Sequence, residues 1–294
     1  MSYDFGRLIT AMVTPFNEQM EVDYQRAREL AEHLVATGSQ SIVVAGTTGE
    51  SPTLSVEEKA VLFQTVVDAV KGKARVIAGS GSNSTKQSVE ITRSAEAAGV
   101  DGIMLVVPYY NKPPQEGLYL HFKKIAGSTG LPVMLYNVPG RTSVNMSAQT
   151  TIRLAQIDNI FSIKEASGDL EQVSQIVNET PDDFLVYSGD DSMTLPILSV
   201  GGYGVVSVAG HIIGGKINEM IEAFTSGQPA EAAALHRRLM PVFKGMFIST
   251  NPIPVKTSLN ILGKNAGPVR LPLIEMTGEQ RESLKDILKT AGLL

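Results

Sequence analysis

The sequence of 294 residues contains no cysteine. This absence excludes disulfide bonds, thiolate nucleophiles and zinc sites with cysteine ligands, and it fits a reducing compartment. Histidine is scarce as well: four residues are scattered along the chain, three of them in segments with helical periodicity, which argues against a metal-dependent aldolase or hydrolase. We therefore expect no metal, and any nucleophile must be a side chain other than cysteine.

A complete dinucleotide-binding motif is also lacking. The segment Gly79-Ser80-Gly81-Ser82-Asn83-Ser84 begins like one, but serine stands where the third glycine of the motif belongs. We therefore expect no bound cofactor.

Basic clusters and long apolar runs are missing too. The net charge is −5 and no run of Lys and Arg forms a basic stripe, so nucleic acid is not an expected partner. No window is apolar enough to span a bilayer, and the first residues carry neither a basic start nor a small-residue cleavage site. These features predict a cytoplasmic protein without a membrane partner. A hydrophobic fraction of 43% is enough to bury a sizeable core.

Eight short apolar runs recur along the chain, each followed by turn residues and then by a segment with helical periodicity. They begin near Leu8, Ser41, Ala74, Gly102, Pro132, Ile160, Phe184 and Gly204. Their nearly continuous apolar character suits parallel strands that are covered on both faces. The pattern predicts the α/β class and a (β/α)8 TIM barrel, with a doubly wound open sheet as the main competitor.

The segments between these runs predict helices on the outside of the barrel. After the second run, Ser55 and Glu58 have the spacing of a helix-capping box. An apolar stripe follows, formed by Val56, Ala60, Phe63, Val67 and Val70. Beyond the eighth run the chain is longer than one closing helix requires. We therefore predict a catalytic barrel over residues 1–225 and a C-terminal helical extension, packed on the barrel, over residues 226–294.

Polar residues follow several of the runs, at the strand ends where barrels of this kind form their active sites. They are Thr14, Thr47, Thr48, Tyr109, Tyr110, Tyr136, Asn137, Arg141, Lys164, Glu165, Ser188, Gly189, Asp190 and Asp191. Hydroxyls, phenols, one arginine and one lysine thus converge on one mouth, without a histidine cluster or an evident pair of carboxylates.

Lys164 is the strongest single signal at this mouth. Alternation along Ile160-Phe161-Ser162-Ile163-Lys164 places Phe161 and Ile163 on one face of the strand, and Ser162 and Lys164 on the other. If the apolar pair packs under the helices, Lys164 points into the barrel. A lysine there is partly desolvated, which favours the uncharged, nucleophilic amine. The alternative is a lysine that forms a structural ion pair at the strand end.

The other polar residues allow two interpretations each. The glycines around Thr47 and Thr48 could bring backbone N–H groups and two hydroxyls to a carboxylate, or could form an ordinary polar turn. Tyr110 and Tyr136 could transfer protons, or could lie at the rim with satisfied hydroxyls. Arg141 could bind a carboxylate through two hydrogen bonds, or could be a solvated surface residue.

Taken together, these segments resemble the dihydrodipicolinate synthase family. The matching segments are Gly46-Thr47-Thr48-Gly49-Glu50, Pro108-Tyr109-Tyr110-Asn111, Tyr136-Asn137-Val138-Pro139-Gly140-Arg141-Thr142, Ile163-Lys164-Glu165-Ala166, Ser188-Gly189-Asp190-Asp191 and Asn251-Pro252-Ile253-Pro254-Val255-Lys256. The resemblance covers essentially the whole chain. It implies a Schiff-base aldolase-type lyase of lysine and diaminopimelate biosynthesis, with pyruvate and L-aspartate 4-semialdehyde as substrates.

The resemblance implies four catalytic residues. Lys164 forms an imine with pyruvate, and Tyr136 relays protons. Tyr136, together with Thr47 and Tyr110, matches a triad of residues in this family. In this family the residue matching Tyr110 reaches in from the neighbouring subunit, which implies a homo-oligomer built from a tight dimer, expected to pair into a dimer of dimers.

Four further positions match substrate-binding residues of the family. Thr48 matches the residue that holds the pyruvate carboxylate. Arg141 matches the residue that binds the carboxylate of the semialdehyde. Gly189 and Val206 match positions that line the pocket. The hydroxyls and Arg141 would orient anionic substrates in a pocket more positive than the whole protein.

Two alternatives remain open at this point. N-acetylneuraminate lyases and keto-deoxy-sugar aldolases share the barrel, the Schiff-base lysine and a similar glycine-rich loop, but their long polyhydroxylated substrates do not need the carboxylate site at Arg141. A second possibility, from another class of protein, is a catalytically silent barrel that binds a keto acid.

The resemblance also implies weak or absent inhibition by lysine. Many family members bind this amino acid at the tight-dimer interface, at positions that match Ser51, Pro52, Val56, Lys59, Asn83, Gln87 and Tyr109. In lysine-sensitive bacterial enzymes the counterparts of Val56 and Lys59 are typically histidines and that of Gln87 is a glutamate. This chain therefore lacks a carboxylate that would pair with an ammonium group of lysine.

Overall fold

The computed structural model describes residues 3–294, and its eight parallel strands close into a barrel. In chain order the strands are β1 (Leu8–Ala11), β2 (Ser41–Val44), β3 (Arg75–Gly79), β4 (Gly102–Val106), β5 (Val133–Asn137), β6 (Ile160–Glu165), β7 (Leu185–Ser188) and β8 (Gly204–Ser207). Each strand pairs with the next, and β8 pairs with β1. The (β/α)8 barrel is confirmed, and each strand begins within one residue of its predicted start. The alternative prediction of an open doubly wound sheet is wrong.

Helices surround the barrel and continue beyond it. They are α1 (Tyr24–Ala36), α2 (Val56–Val70), α3 (Thr85–Ala97), α4 (Gln115–Ala126), α5 (Pro139–Thr142), α6 (Ala148–Leu154), α7 (Leu170–Glu179), α8 (Thr194–Ser199), α9 (Gly210–Thr225), α10 (Pro229–Gly245), α11 (Ile253–Ile261) and α12 (Gly278–Thr290). Over residues 3–294, none has the length and apolar character needed to cross a bilayer. The division at residue 225 stays a prediction, and residues 1 and 2 of the predicted barrel lie outside the described residues.

Two apolar layers hold the barrel together. The larger one lies between the strands and the helices and contains residues such as Leu8, Ile42 and Leu135. The smaller one fills the barrel and takes residues from every strand. Its members are Phe5, Ile9, Ala11, Val43, Ile77, Met104, Met134, Tyr136, Val138, Phe161, Tyr187 and Val206. The inner layer thus forms a packed floor beneath the polar residues at the strand ends.

Strand β6 departs from simple alternation. The register with β5 runs from Val133 opposite Ile160 to Met134 opposite Ser162, so Phe161 is an extra residue in a bulge. Phe161 therefore belongs to the inner layer, whereas Ile163 belongs to the outer one. The prediction that these two side chains share a face is wrong, because the bulge resets the alternation after Phe161.

Helix α2 buries part of the predicted stripe, namely Phe63 and Val70, together with residues outside that stripe. Its capping box is confirmed, with the Glu58 N–H donating to Ser55 Oγ over 3.1 Å. The buried residues are Lys59, Leu62, Phe63, Val66, Ala69 and Val70, whereas Val56 is 38% exposed. Because apolar residues occupy most of the helix circumference, periodicity alone could not select the buried face.

His211 makes stability depend on pH. Its ring is buried at the start of α9, where Nε2 accepts the Val13 N–H over 3.1 Å and Nδ1 donates to Val208 O over 2.8 Å. Burial is the main cause that lowers the pKa of the imidazole from 6.5 to about 4. A depressed pKa means that the unfolded chain binds the proton more tightly, so stability present above pH 6.5 is lost as the pH falls towards 4.

We expect the free energy of unfolding to fall by up to about 3 kcal/mol across this window because of His211. The measurement is urea unfolding between pH 7 and 4, compared with His211→Gln, whose amide can make both hydrogen bonds but does not ionise. The variant should show a shallower pH dependence. An equal dependence of the unfolding free energy on pH in the two proteins would contradict the assignment of this effect to His211.

Candidate active site

Lys164 lies inside the barrel mouth, near the end of β6, and is only 4% exposed. Its neighbour across the sheet is Tyr136 of β5, and Lys164 Nζ lies 4.3 Å from the centre of the Tyr136 ring. Among residues 3–294, the ion pairs do not include Lys164. The structural ion pair considered for this lysine is therefore absent from the described part of the chain, and the amine faces a phenol instead.

The absence of a side chain at Gly189 leaves space for this lysine. A Cβ atom built at Gly189 would lie 2.6 Å from Ala166 Cβ, which is too close for real atoms, and in a tight contact of 3.2 Å with Lys164 Cε. The Gly189 N–H donates to Glu165 O over 2.7 Å, so the β7 loop is tied to β6 next to Lys164. Val206 packs in the same inner layer as Tyr136. Gly189 thus lies next to the lysine, whereas the role of Gly189 and Val206 in lining a substrate pocket stays a prediction.

A buried amide and carboxylate network joins the ends of β5 and β6. Asn137 Nδ2 donates to both Glu165 oxygens over 3.1 Å, and Gln172 Nε2 donates to Glu165 Oε2 over 3.0 Å. Burial raises the pKa of the Glu165 carboxyl above its ordinary value, and these hydrogen bonds oppose that rise. Because Tyr136 precedes Asn137 and Lys164 precedes Glu165, the network fixes the backbone that carries these two catalytic candidates.

The loop after β2 carries the two threonines. Thr48 is buried, and its Oγ1 accepts a hydrogen bond from Asn251 Nδ2 over 3.0 Å. Because this hydroxyl accepts from the amide, its own proton is free to donate to another group, such as a carboxylate oxygen. Asn251 O also accepts a 3.4 Å hydrogen bond from Arg141 Nη2. Asn251, which lies in one of the matching segments but was assigned no role from the sequence, thus connects the two carboxylate-binding candidates.

A cavity of about 280 Å³ opens beside these residues. Its lining does not include Lys164, Thr48, Gly189 or Val206. It does include Thr47, Tyr136 and the two cations Arg141 and Lys59. The cavity-lining residues include these two cations and no carboxylate. The arrangement is suited to small anionic ligands, because both charges near the cavity are positive.

Among the described residues, Tyr110 is the one catalytic candidate that lies apart from the other three. It is 90% exposed, has a positive φ of 73°, and does not line the cavity that Thr47 and Tyr136 share. Its neighbour Tyr109 lines the cavity instead. An aromatic side chain so exposed is available to a second subunit, as the resemblance implies.

Five of the seven positions that match the lysine site line the same cavity. They are Ser51, Pro52, Lys59, Gln87 and Tyr109. Lys59 is 8% exposed, and desolvation lowers the pKa of its ammonium group. Gln87 Oε1 accepts from Ser82 Oγ over 2.6 Å, which leaves its amide N–H groups available.

The histidines of the described chain are dispersed, and over residues 3–294 no group of three or more His, Asp or Glu is arranged to hold a metal ion.

Comparisons with known proteins cover the whole chain. The sequence profile of the dihydrodipicolinate synthetase family matches residues 4–291. A 4-hydroxy-tetrahydrodipicolinate synthase of Desulforudis audaxviator is 60% identical over 100% of both chains. The protein of that name from Bacillus subtilis is 57% identical over 97% of this chain and 99% of its own. The crystal structure of DHDPS from Cyanidioschyzon merolae with lysine bound is 53% identical, with a TM-score of 0.97 over 99% of each chain.

Proposed function

The chain belongs to the dihydrodipicolinate synthetase family, and we propose that it catalyses the reaction of the 4-hydroxy-tetrahydrodipicolinate synthases through a Schiff base on Lys164. The substrates are pyruvate and L-aspartate 4-semialdehyde. The observation that carries the proposal is the position of Lys164, buried at the barrel mouth against the Tyr136 ring and outside the ion pairs of the described residues. The reaction belongs to lysine and diaminopimelate biosynthesis, and the proposal includes a cytoplasmic location.

The reaction begins at the amine of Lys164. Its Nζ attacks the keto carbon of pyruvate, water leaves, and a protonated imine forms. Loss of a proton from the methyl carbon gives an enamine, because the imine accepts the electron pair. The enamine carbon then attacks the aldehyde carbon of the semialdehyde and forms the new C–C bond. The amino group of that substrate displaces Lys164 from the imine carbon, which closes the ring and frees the lysine.

Proton transfers in this sequence fall to Tyr136. A phenol donates and accepts, so it can supply the proton that leaves with water and take up the next one. Thr47, which lines the same cavity, would connect Tyr136 to Tyr110 of a neighbouring subunit in a tight dimer. The 90% exposure of Tyr110 supports this assembly. Pairing of two dimers into a tetramer is part of the proposal.

The substrate carboxylates have separate binding groups. Thr48 donates its hydroxyl proton to the pyruvate carboxylate, since its oxygen already accepts from Asn251. Arg141 binds the carboxylate of the semialdehyde at the cavity entrance. Gly189 and Val206 shape the pocket around Lys164.

Reduction with borohydride in the presence of pyruvate tests the Schiff base. A stable adduct, located by peptide mass mapping at Lys164, is the expected result. An adduct at another lysine would refute the assignment, and the absence of any adduct would favour a silent keto-acid-binding barrel.

Replacing Arg141 should separate the two substrates. We expect Arg141→Ala to raise the KM for the semialdehyde much more than the KM for pyruvate, because only the former's carboxylate is assigned to this guanidinium. Steady-state kinetics with each substrate varied in turn provide the measurement. Arg153→Ala, which removes a surface arginine paired with Glu116, is the matched control and should change neither KM. Equal effects of Arg141→Ala on both substrates would contradict this division of roles.

Lysine should inhibit the enzyme weakly or not at all. Free lysine carries two ammonium groups and one carboxylate, and Lys59 and Gln87 of the cavity lining supply a positive charge and a neutral amide. A missing charge-assisted hydrogen bond removes roughly 1.5 to 3 kcal/mol, which weakens affinity by about one to two orders of magnitude. Activity titrated with L-lysine at subsaturating pyruvate measures the effect.

The variant Gln87→Glu provides the comparison for this titration. It restores a carboxylate and should therefore increase sensitivity to lysine relative to the unaltered chain. Half-inhibition of the unaltered chain below the millimolar range would refute the prediction.

A further inference from the structure

The loop that carries Thr47 and Thr48 is a tight turn that closes at Glu50. The Glu50 N–H donates to Thr47 O over 3.1 Å, and Glu50 adopts the left-handed conformation with φ of 56°. This conformation is uncommon for a residue with a side chain, and it requires support from surrounding contacts. Thr14 Oγ1 donates to Gly49 O over 2.7 Å and fixes the turn against the end of β1.

The side chain of Glu50 is buried against the C-terminal part of the chain. Its Oε1 accepts from Lys256 Nζ over 3.0 Å, and its Oε2 accepts from the Arg270 N–H over 2.9 Å. The side chains of Glu50 and Lys256 are each only 1% exposed. Both carboxylate oxygens thus bind groups that lie more than 200 residues further along the chain.

Lys256 uses all three of its ammonium protons. Besides Glu50, Nζ donates to Thr14 O over 2.9 Å and to Pro268 O. The lysine therefore holds the turn at two points, directly through Glu50 and through the backbone of Thr14, whose hydroxyl bonds Gly49. Lys256 lies in α11, five residues after Asn251, which binds Thr48. One C-terminal segment thus contacts the turn at Thr48 and at Glu50.

A buried ion pair is a weak source of stability. Well-packed apolar residues of the same volume are often as stable or more stable, because the desolvation of two charges offsets their attraction. The pair nevertheless joins two specific groups, the Glu50 carboxylate and the Lys256 ammonium. It therefore holds that carboxylate, and the turn attached to it, at one position above the barrel. This property suits a device that sets the position of neighbouring side chains.

On the basis of the proposed function, we propose that Glu50 and Lys256 are positioning residues, whose buried ion pair holds the Thr47–Thr48 turn in the geometry that binds pyruvate and supports proton transfer. Neither residue touches the reacting atoms. The pair acts through the turn, and its loss should therefore affect pyruvate before it affects the semialdehyde.

The experiment compares Glu50→Gln, Lys256→Met and the double variant with the unaltered chain. Each single variant leaves one buried group without its partner and should lower the urea midpoint. The double variant removes both charges, so its midpoint should recover. Its KM for pyruvate should nevertheless stay raised by roughly 10- to 100-fold, because a misplacement of about 1 Å can cost as much as 100-fold. A purely structural pair predicts that stability and KM recover together, and that result would overturn the proposal.

Two further variants complete the design. Glu50→Asp keeps the charge but withdraws the carboxylate, so it should fold and should still show a raised KM for pyruvate; an unchanged KM would refute the proposal even if the double variant does not fold. Ile125→Ala is the control, because Ile125 is buried in α4, outside the network of Glu50 and Lys256. It should lower the midpoint and leave the KM for pyruvate unchanged.

Trapping of pyruvate by borohydride on the unaltered chain separates two kinds of failure. If Lys164 is not trapped, the proposed function fails and the positioning role falls with it. If Lys164 is trapped and the double variant has the KM of the unaltered chain, only the positioning role is refuted.

Discussion

Replacing Lys164 with alanine should abolish the condensation and the trapping of pyruvate together. The imine is the step that makes the pyruvate methyl carbon acidic, and the proposed mechanism assigns its formation to Lys164 alone. We expect turnover to fall on the order of 10⁶-fold, comparable with the loss of the nucleophile in a serine protease. The measurement combines the steady-state rate with the intact mass after borohydride reduction.

Two variants control this result. Lys164→Arg keeps the positive charge but cannot form the imine, so it should be as inactive as Lys164→Ala if covalent chemistry is required. Lys124→Ala removes an exposed lysine from α4 and should leave rate and adduct unchanged. Substantial activity of Lys164→Arg would show that charge, and not the imine, is what the reaction needs.

Replacing Tyr136 with phenylalanine should slow turnover by roughly 10²- to 10⁴-fold, the usual contribution of a general acid–base group. The ring that lies 4.3 Å from Lys164 Nζ is kept, so pyruvate binding should be largely intact. Stopped-flow measurement of pyruvate binding, alongside the steady-state rate, distinguishes binding from proton transfer.

Tyr119→Phe is the matched control, since it removes a phenol hydroxyl on α4, where the ring packs under Arg153. It should have no effect on either quantity. A near-native rate for Tyr136→Phe would remove this residue from the mechanism.

The strand pattern was predictable because parallel strands covered on both faces leave continuous apolar runs. The orientation of Lys164 was also predicted, but on an incomplete argument. The assumed partner of Ile163, Phe161, lies in the bulge and points into the barrel. A one-residue bulge is a property of the pairing between β5 and β6, so the sequence of β6 alone does not reveal it.

Contacts between distant segments of the chain could not be predicted from any local sequence pattern. Asn251 binds Thr48, and Lys256 binds Glu50, across more than 200 residues of chain. Only the closed fold brings these residues together. The glycine-rich loop could therefore be recognised as a candidate site, whereas the groups that support it could not. In helix α2, Lys59 occupies a buried position that an apolar stripe would not indicate.

The identity of the second substrate is the most direct test of the account. The enzyme is incubated with pyruvate and either L-aspartate 4-semialdehyde or N-acetylmannosamine, and the products are identified by mass spectrometry. We expect the cyclised condensation product with the semialdehyde and no product with the sugar. Condensation with N-acetylmannosamine in place of the semialdehyde would contradict the account and identify the protein as a sugar-acid lyase.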